Sequence, residues 1–280
     1  MHEPAPGTRV TGGGGTRLHV IDAGNRHGRP IVFVHGFCQS TYAWRKQFAS
    51  DLGRDFRLVA FDMRGHGRSD KPGSAEAYAD SRLWAEDVSA VLNALDLRGA
   101  IVVAWSYGGY VVGDYLRHHG THRIGAFALV AAATLMGGQK SRGLIGPRFA
   151  ELFPDLFSAE VDVLRPAMAR FVALCVADPL VLPPHEYAEL LMTGELVPAV
   201  AREAMNRRKI DNDDVLQTLT CPTSCIHGTL DAVVTPLSSE HSAGVIPGAT
   251  LSLYESVGHS PFVEAPDRFN RELRELAAKI

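Results

Sequence analysis

The sequence predicts an α/β protein: an open, mostly parallel twisted sheet flanked by helices, with one helical segment inserted between two of its strands. Short, β-branched and nearly continuous apolar runs recur along the chain, the pattern of strands buried on both faces. Amphipathic helical stretches separate these runs, and a repeated strand–helix–strand order implies right-handed crossovers in a single sheet. The alternation breaks after Thr134 and resumes near Pro222, which marks the insertion.

In chain order, the glycine run 12–15 reads as a turn and residues 17–22 as an antiparallel lead-in strand. Residues 31–34 and Arg57–Phe61 are continuous apolar strands, with a helical stretch over 41–52 between them. Residues 81–95 form an amphipathic helix whose Leu83, Val88, Val91, Leu92 and Leu95 share one 3.6-period face. Strand 100–104, helix 107–118 and strand 124–131 follow. From 135 to 214 the chain carries Gly137-Gly138, Pro147, Pro154, Pro166 and Pro183-Pro184, with amphipathic helical pieces and no convincing strand. Strands at 222–227 and 250–254 and an amphipathic helix over 268–279 close the chain. The domain reading is therefore a core of residues 1–134 and 215–280, with residues 135–214 as a helical lid over the sheet's edge.

Composition limits the function. The 280 residues carry 28 Lys and Arg against 31 Asp and Glu, a formal charge of −3 with no basic run, so the electrostatic footprint of a nucleic-acid binder is missing. With 46% hydrophobic and 21% charged residues, whole-chain disorder is excluded. Cys38, Cys175, Cys221 and Cys225 are too few and too scattered for a disulfide scaffold and complete no zinc pattern, so no metal is expected. The start Met-His-Glu-Pro-Ala-Pro lacks a basic segment and an apolar core, and no run approaches the roughly 18 apolar residues that span a bilayer. Those features point to a cytoplasmic protein with no membrane partner and a small molecule as substrate.

The sharpest local feature is Val103-Ala-Trp-Ser-Tyr-Gly-Gly109, at the end of a strand and directly before a helix. A serine flanked at two residues on either side by small side chains, Ala104 and Gly108, fits a nucleophile elbow, although the common form has glycine where Ala104 stands. A glycine-rich strand–helix turn whose serine caps the helix is the plainer alternative. Serine needs a base to remove its proton and a third group to orient that base. Asp231 lies just beyond strand 222–227 and His259 just beyond strand 250–254, both at the sheet edge that carries Ser106, in the order serine, aspartate, histidine. His35-Gly36-Phe37, at the end of the first parallel strand, offers the Phe37 N–H beside that of Tyr107 as an oxyanion hole. It also reads as a turn with a packed histidine.

Together, His35-Gly36-Phe37, Asp62-Met-Arg-Gly-His-Gly-Arg-Ser69, Trp105-Ser-Tyr-Gly-Gly109, Asp231 and Gly258-His259 resemble the α/β-hydrolase superfamily over nearly the whole chain. Within it the chain looks most like the capped bacterial esterases, lactonases and cofactor-free haloperoxidases. The resemblance implies the α/β-hydrolase fold, Ser106 as nucleophile, His259 as general base and then acid, Asp231 as orienter, and 135–214 as a cap over the pocket. It also implies that the cluster Asp62, Arg64, His66 and Asp70 is a structural loop rather than a metal site.

These readings lead to a serine hydrolase acting on a small to medium apolar ester, thioester or lactone through an acyl-enzyme, chemistry that requires no cofactor. Trp105, Val233 and Val234 are expected to bind substrate, with Phe37 and the cap residues Phe149, Phe153, Phe157, Met168 and Phe171 as further apolar candidates. Cys38, beside the oxyanion loop, reads as a packing thiol. The same triad would serve haloperoxidase-like perhydrolysis. It would also serve hydrolysis of C–C bonds in anionic diketones, for which Arg142, Arg148, Arg165 and Arg170 are the available cations. A ligand-binding protein on the same fold with idle chemistry is the reading from a different class.

Overall fold

The structure is a computed structural model, described for residues 7–280. Eight strands form one sheet: β1 (Thr8–Thr11), β2 (Arg17–Gly24), β3 (Pro30–Val34), β4 (Arg57–Phe61), β5 (Ala100–Trp105), β6 (Ile124–Val130), β7 (Thr223–Gly228) and β8 (Thr250–Tyr254). Their spatial order is β1-β2-β4-β3-β5-β6-β7-β8. β2 is antiparallel to both β1 and β4, and every other pair is parallel. Parallel register aligns Val34 with Ala104 and Trp105 with Val130, so the carboxyl ends of β3, β5 and β6 open on one edge.

The continuous apolar runs follow from burial on both faces. Val32, Val34, Val59, Phe61, Val102 and Ala104 point into the core layer shared with α1 (Ser81–Ala94) and α2 (Gly108–His119). Their alternates Ile31, Phe33, Leu58, Ala60, Ile101, Val103 and Trp105 point into the opposite layer, against Trp44, Phe262, Phe269 and Leu273. Asp80 caps α1 by accepting the Arg82 N–H at 2.9 Å, and Gly120, with φ at +65°, ends α2.

Between β6 and β7 lie α3 (Val161–Leu174), α4 (Pro184–Glu195) and α5 (Ala199–Asn206), with single-turn helices at Pro147–Ala150 and Phe153–Leu156. This segment also contains a strand pair that the sequence reading lacked: Leu135–Met136 runs antiparallel to Ile210–Asp211. Two residues are too few to show a period of two, so no pattern announces them. Strand β1 was equally silent, because Val10 is its one inward-facing apolar residue.

The expected helix over 41–52 is instead a 3-10 turn (Thr41–Trp44) followed by single-turn helices Arg45–Phe48 and Leu52–Asp55. Side chains take over its backbone groups. Ser40 Oγ accepts the Tyr42 N–H at 3.2 Å, Asp62 Oδ1 accepts the Thr41 N–H at 2.7 Å, and Ser50 Oγ donates to the Gln47 carbonyl and accepts from Leu52. After β7 come α6 (Leu237–Val245), β8 and α7 (Pro266–Ala277). Among the described residues no helix is long and apolar enough to cross a membrane.

Candidate active site

Ser106 sits where β5 turns into α2, with φ at +54°, a left-handed conformation that costs a non-glycine residue energy and is held by its surroundings. Its N–H donates to the Val130 carbonyl at 3.1 Å, and its carbonyl accepts from Gly109 and Ala133. The small neighbours are required by contact. A Cβ on Gly108 would lie 2.7 Å from the Val34 carbonyl oxygen, and one on Gly36 would lie 2.9 Å from Ser106 Cβ. Ala104, in place of the commoner glycine, is fully buried in the sheet.

Facing the serine is the loop after β3, where Cys38 also has a positive φ, of +54°. The Asp62–Ser69 turn grips this loop. Cys38 N–H donates to His66 Nε2 at 3.3 Å, Thr41 N–H to Asp62, and Met63 N–H to His35 Nε2 at 3.0 Å. Arg64 in turn forms a buried bidentate pair with Asp87 on α1, at 2.7 and 2.8 Å. Among the described residues neither the Phe37 nor the Tyr107 N–H donates to a protein acceptor, so both are free for a ligand oxygen. Cys38 is buried, and burial pushes its thiol pKa up, so it stays protonated.

Asp231 and His259 are brought together: His259 Nδ1 lies 2.7 Å from Asp231 Oδ2, and both side chains are buried. Asp231 Oδ1 accepts the N–H groups of Val233 at 2.8 Å and Val234 at 3.0 Å. Burial alone would raise the Asp231 pKa, but neighbouring His259 and the hydrogen bonds from the His227 and His259 rings hold it down to about 2. It is therefore a carboxylate that accepts, and His259 presents Nδ1–H to it. That leaves His259 Nε2 as the basic nitrogen, and this atom is buried without a hydrogen-bond partner. No hydrogen bond joins it to Ser106. The two are linked through Trp105, whose indole N–H donates to the His259 carbonyl at 2.8 Å and whose ring lies 5.4 Å from the imidazole.

Trp105, expected from sequence to bind substrate, is thus misplaced in that reading. Strand alternation sends its side chain to the face opposite the cavity, against Trp44 and Phe262. Met168 likewise does not line the cavity. Val233 and Val234 do, together with Phe37, Phe149, Phe153, Phe157 and Phe171. The cavity at Ser106 holds about 270 Å³ and has no Asp, Glu, Lys, Arg or His on its wall. Phe171 stacks on Phe149 at 4.9 Å and meets Phe37 edge-on at 6.1 Å. The four arginines considered for anionic substrates all face solvent, and Arg165 is occupied by Glu195 at 2.8 Å.

Two residues at this site were absent from the sequence reading. His227, at the end of β7, shares Asp231 Oδ2 with His259 at 2.9 Å. Glu264 accepts the N–H groups of Gly258 and Ser260 on either side of His259, at 3.0 and 3.4 Å, and that of Ala177 at 2.8 Å. Position four before the aspartate and five after the histidine were the only signals, and neither spacing is a motif.

The eight-stranded sheet, the strained serine turn and the histidine–aspartate pair at one edge define an α/β hydrolase, and the family model for the alpha/beta hydrolase fold matches residues 29–266. The chain belongs to that family. A solved structure of an esterase, RhEst1 from Rhodococcus sp. ECU1013, superposes with a TM-score of 0.90 at 33% identity, covering 98% of this chain and all of that one. Non-heme chloroperoxidases are also similar: that of Streptomyces lividans is 30% identical over 94% of this chain and 97% of its own length. Chloroperoxidase CPO-A1 of Kitasatospora aureofaciens is 28% identical over 90% and 93%.

Proposed function

We propose that this chain is a serine hydrolase that cleaves a carboxylic ester, thioester or lactone of a small to medium apolar substrate, with residues 135–214 as the cap over its pocket. The observation that carries the reading is the unpartnered His259 Nε2, backed by Asp231, whose other oxygen is held by Val233 and Val234 of the neutral aromatic cavity that contains Ser106. Hydrogen bonds between nucleophile and base often tighten only when substrate is bound.

In this mechanism His259 Nε2 takes the Ser106 proton as Oγ attacks the carbonyl carbon. The oxyanion accepts the Phe37 and Tyr107 N–H groups at the positive end of α2. Collapse expels the alcohol with the proton from His259, leaving an acyl-serine. Water, deprotonated by the same nitrogen, releases the acid. Asp231 stays ionised throughout and stabilises the imidazolium. A volume of about 270 Å³ sits just under the range of about 300–1,000 Å³ typical of drug-sized ligands, which favours short acyl groups or one aromatic ring. The uncharged wall disfavours the anionic diketones of C–C hydrolases.

Similarity to two chloroperoxidases favours one companion activity: peroxide in place of water on the acyl-serine, giving a peracid. A panel of p-nitrophenyl esters of increasing acyl length, run beside lactones and beside peroxide-dependent halogenation in acetate, tests the reading. Hydrolysis peaking at short acyl chains and abolished by Ser106→Ala is expected. Equal rates in the Ser106→Ala protein would overturn it.

A further inference from the structure

Asp231 has more anchors than orienting one histidine requires. Its two oxygens offer four lone pairs, and four donors reach them: the Val233 and Val234 N–H groups at Oδ1, and His259 Nδ1 and His227 Nε2 at Oδ2. His227 is fully buried. Its Nε2 faces two acceptors, Asp231 Oδ2 and the Val234 carbonyl, each at 2.9 Å, so that nitrogen must carry the proton. Its Nδ1 faces Ser239 Oγ at 2.7 Å, on α6, and a neutral ring there accepts the hydroxyl proton. The result is a buried, directed chain: Ser239 donates to His227, His227 to Asp231, and His259 to the same Asp231 oxygen.

We propose that His227 is a positioning residue of the triad, which fixes Asp231 Oδ2 in place and limits how strongly that oxygen holds the His259 proton. The proposal rests on the catalytic roles given above to Ser106, Asp231 and His259. A carboxylate oxygen that shares its lone pairs with two donors accepts less strongly from each than an oxygen with one. With the His227 donor removed, Oδ2 binds the His259 imidazolium more tightly, and His259 must lose its proton to act as a base. The acid limb of the pH–rate profile then moves up. The carboxylate also loses one of the two side chains that hold Oδ2, so the imidazole is less well aimed. Other titratable groups facing Asp231 are Cys175, whose thiol is pushed up by burial, and Glu264, whose carboxylate is bound by three backbone N–H groups.

Two substitutions divide the ring. His227→Asn retains a polar atom near the Nδ1 position, toward Ser239, and loses the donor to Asp231. His227→Gln places an amide N–H near the Nε2 position. With a short-chain p-nitrophenyl ester, His227→Asn is expected to lower kcat by about ten- to a hundredfold, with KM within about twofold of wild type. The acid limb of kcat/KM should rise by about half a pH unit, a threefold change in proton affinity. His227→Gln should recover most of both. The low-field proton resonance of His259 Nδ1–H, recorded without substrate, should shift in His227→Asn and return in His227→Gln. An unmoved limb and resonance in His227→Asn would overturn the proposal. So would equal losses in both variants that track only a lower melting temperature. Absence of ester hydrolysis by the wild-type protein, with the resonance still displaced in His227→Asn, would remove the catalytic reading and leave the buried chain in place.

Discussion

At the scale of single residues, the site depends on atoms that are absent as much as on those present. Gly36 has no Cβ, and that absence makes room for Ser106: an added methyl carbon would sit 2.9 Å from Ser106 Cβ, 3.3 Å from the Trp105 ring and 3.4 Å from Ser106 Oγ. Ser106 and Trp105 are both buried in a close-packed elbow, so the extra atom fits only if one of them or the glycine backbone gives way. Gly36→Ala should therefore shift the serine or the loop after β3 by a few tenths of an ångström. The expected result is a fall in kcat on the order of ten- to a hundredfold, with far-UV circular dichroism unchanged. Steady-state kinetics on a p-nitrophenyl ester checks it, and a wild-type kcat would show that the elbow tolerates the extra atom. His227 belongs to the same scale, since its effect passes through one oxygen of Asp231.

Between elements, the loop after β3 is held from outside by the turn after β4. Two buried neutral histidines make that grip. His66 accepts the Cys38 N–H through Nε2 while its Nδ1 donates to the Arg64 carbonyl at 2.8 Å, and His35 accepts from Met63 while donating to the Gly36 carbonyl at 2.9 Å. Burial, with His35 nearby, lowers the His66 pKa to about 3 from its ordinary 6.5, and burial lowers that of His35 as well. At His66 the unfolded chain thus takes up below about pH 6.5 a proton that the folded protein refuses until about pH 3. The stability that neutral His66 supplies is present above pH 6.5 and is lost as pH falls toward about 3, by up to about 1.4 kcal/mol per pH unit, and burial of His35 acts in the same direction. His66→Gln keeps an acceptor for the Cys38 N–H and removes one titrating group. Urea unfolding midpoints should fall less steeply between pH 6 and 4 for that variant than for wild type, and parallel slopes would refute the assignment.

Across the whole molecule, what the sequence disclosed follows from which interactions are periodic. Strands β3, β5 and β6 are buried on both faces, so an unbroken apolar run marks each of them, and α1 shows its 3.6-residue stripe. Ser106 was legible because the elbow forces small residues at fixed spacing, and Asp231 and His259 because each follows a strand end. Trp105 was placed on the wrong side because a motif gives position along the chain but not which face a turn presents. The broken segment after Ser40 was read as one helix because the bonds that divide it come partly from Asp62, about twenty residues away. His227 and Glu264 carry no local signature, since their roles exist only once β7, β8 and α6 converge.

The most direct test of the account is the mass of the intact protein after exposure to a fluorophosphonate, with the modified peptide mapped. A single adduct on the peptide that contains Ser106, absent in Ser106→Ala and strongly slowed in His259→Ala, is the predicted result. An unmodified wild-type protein, or an adduct that persists in Ser106→Ala, would contradict it.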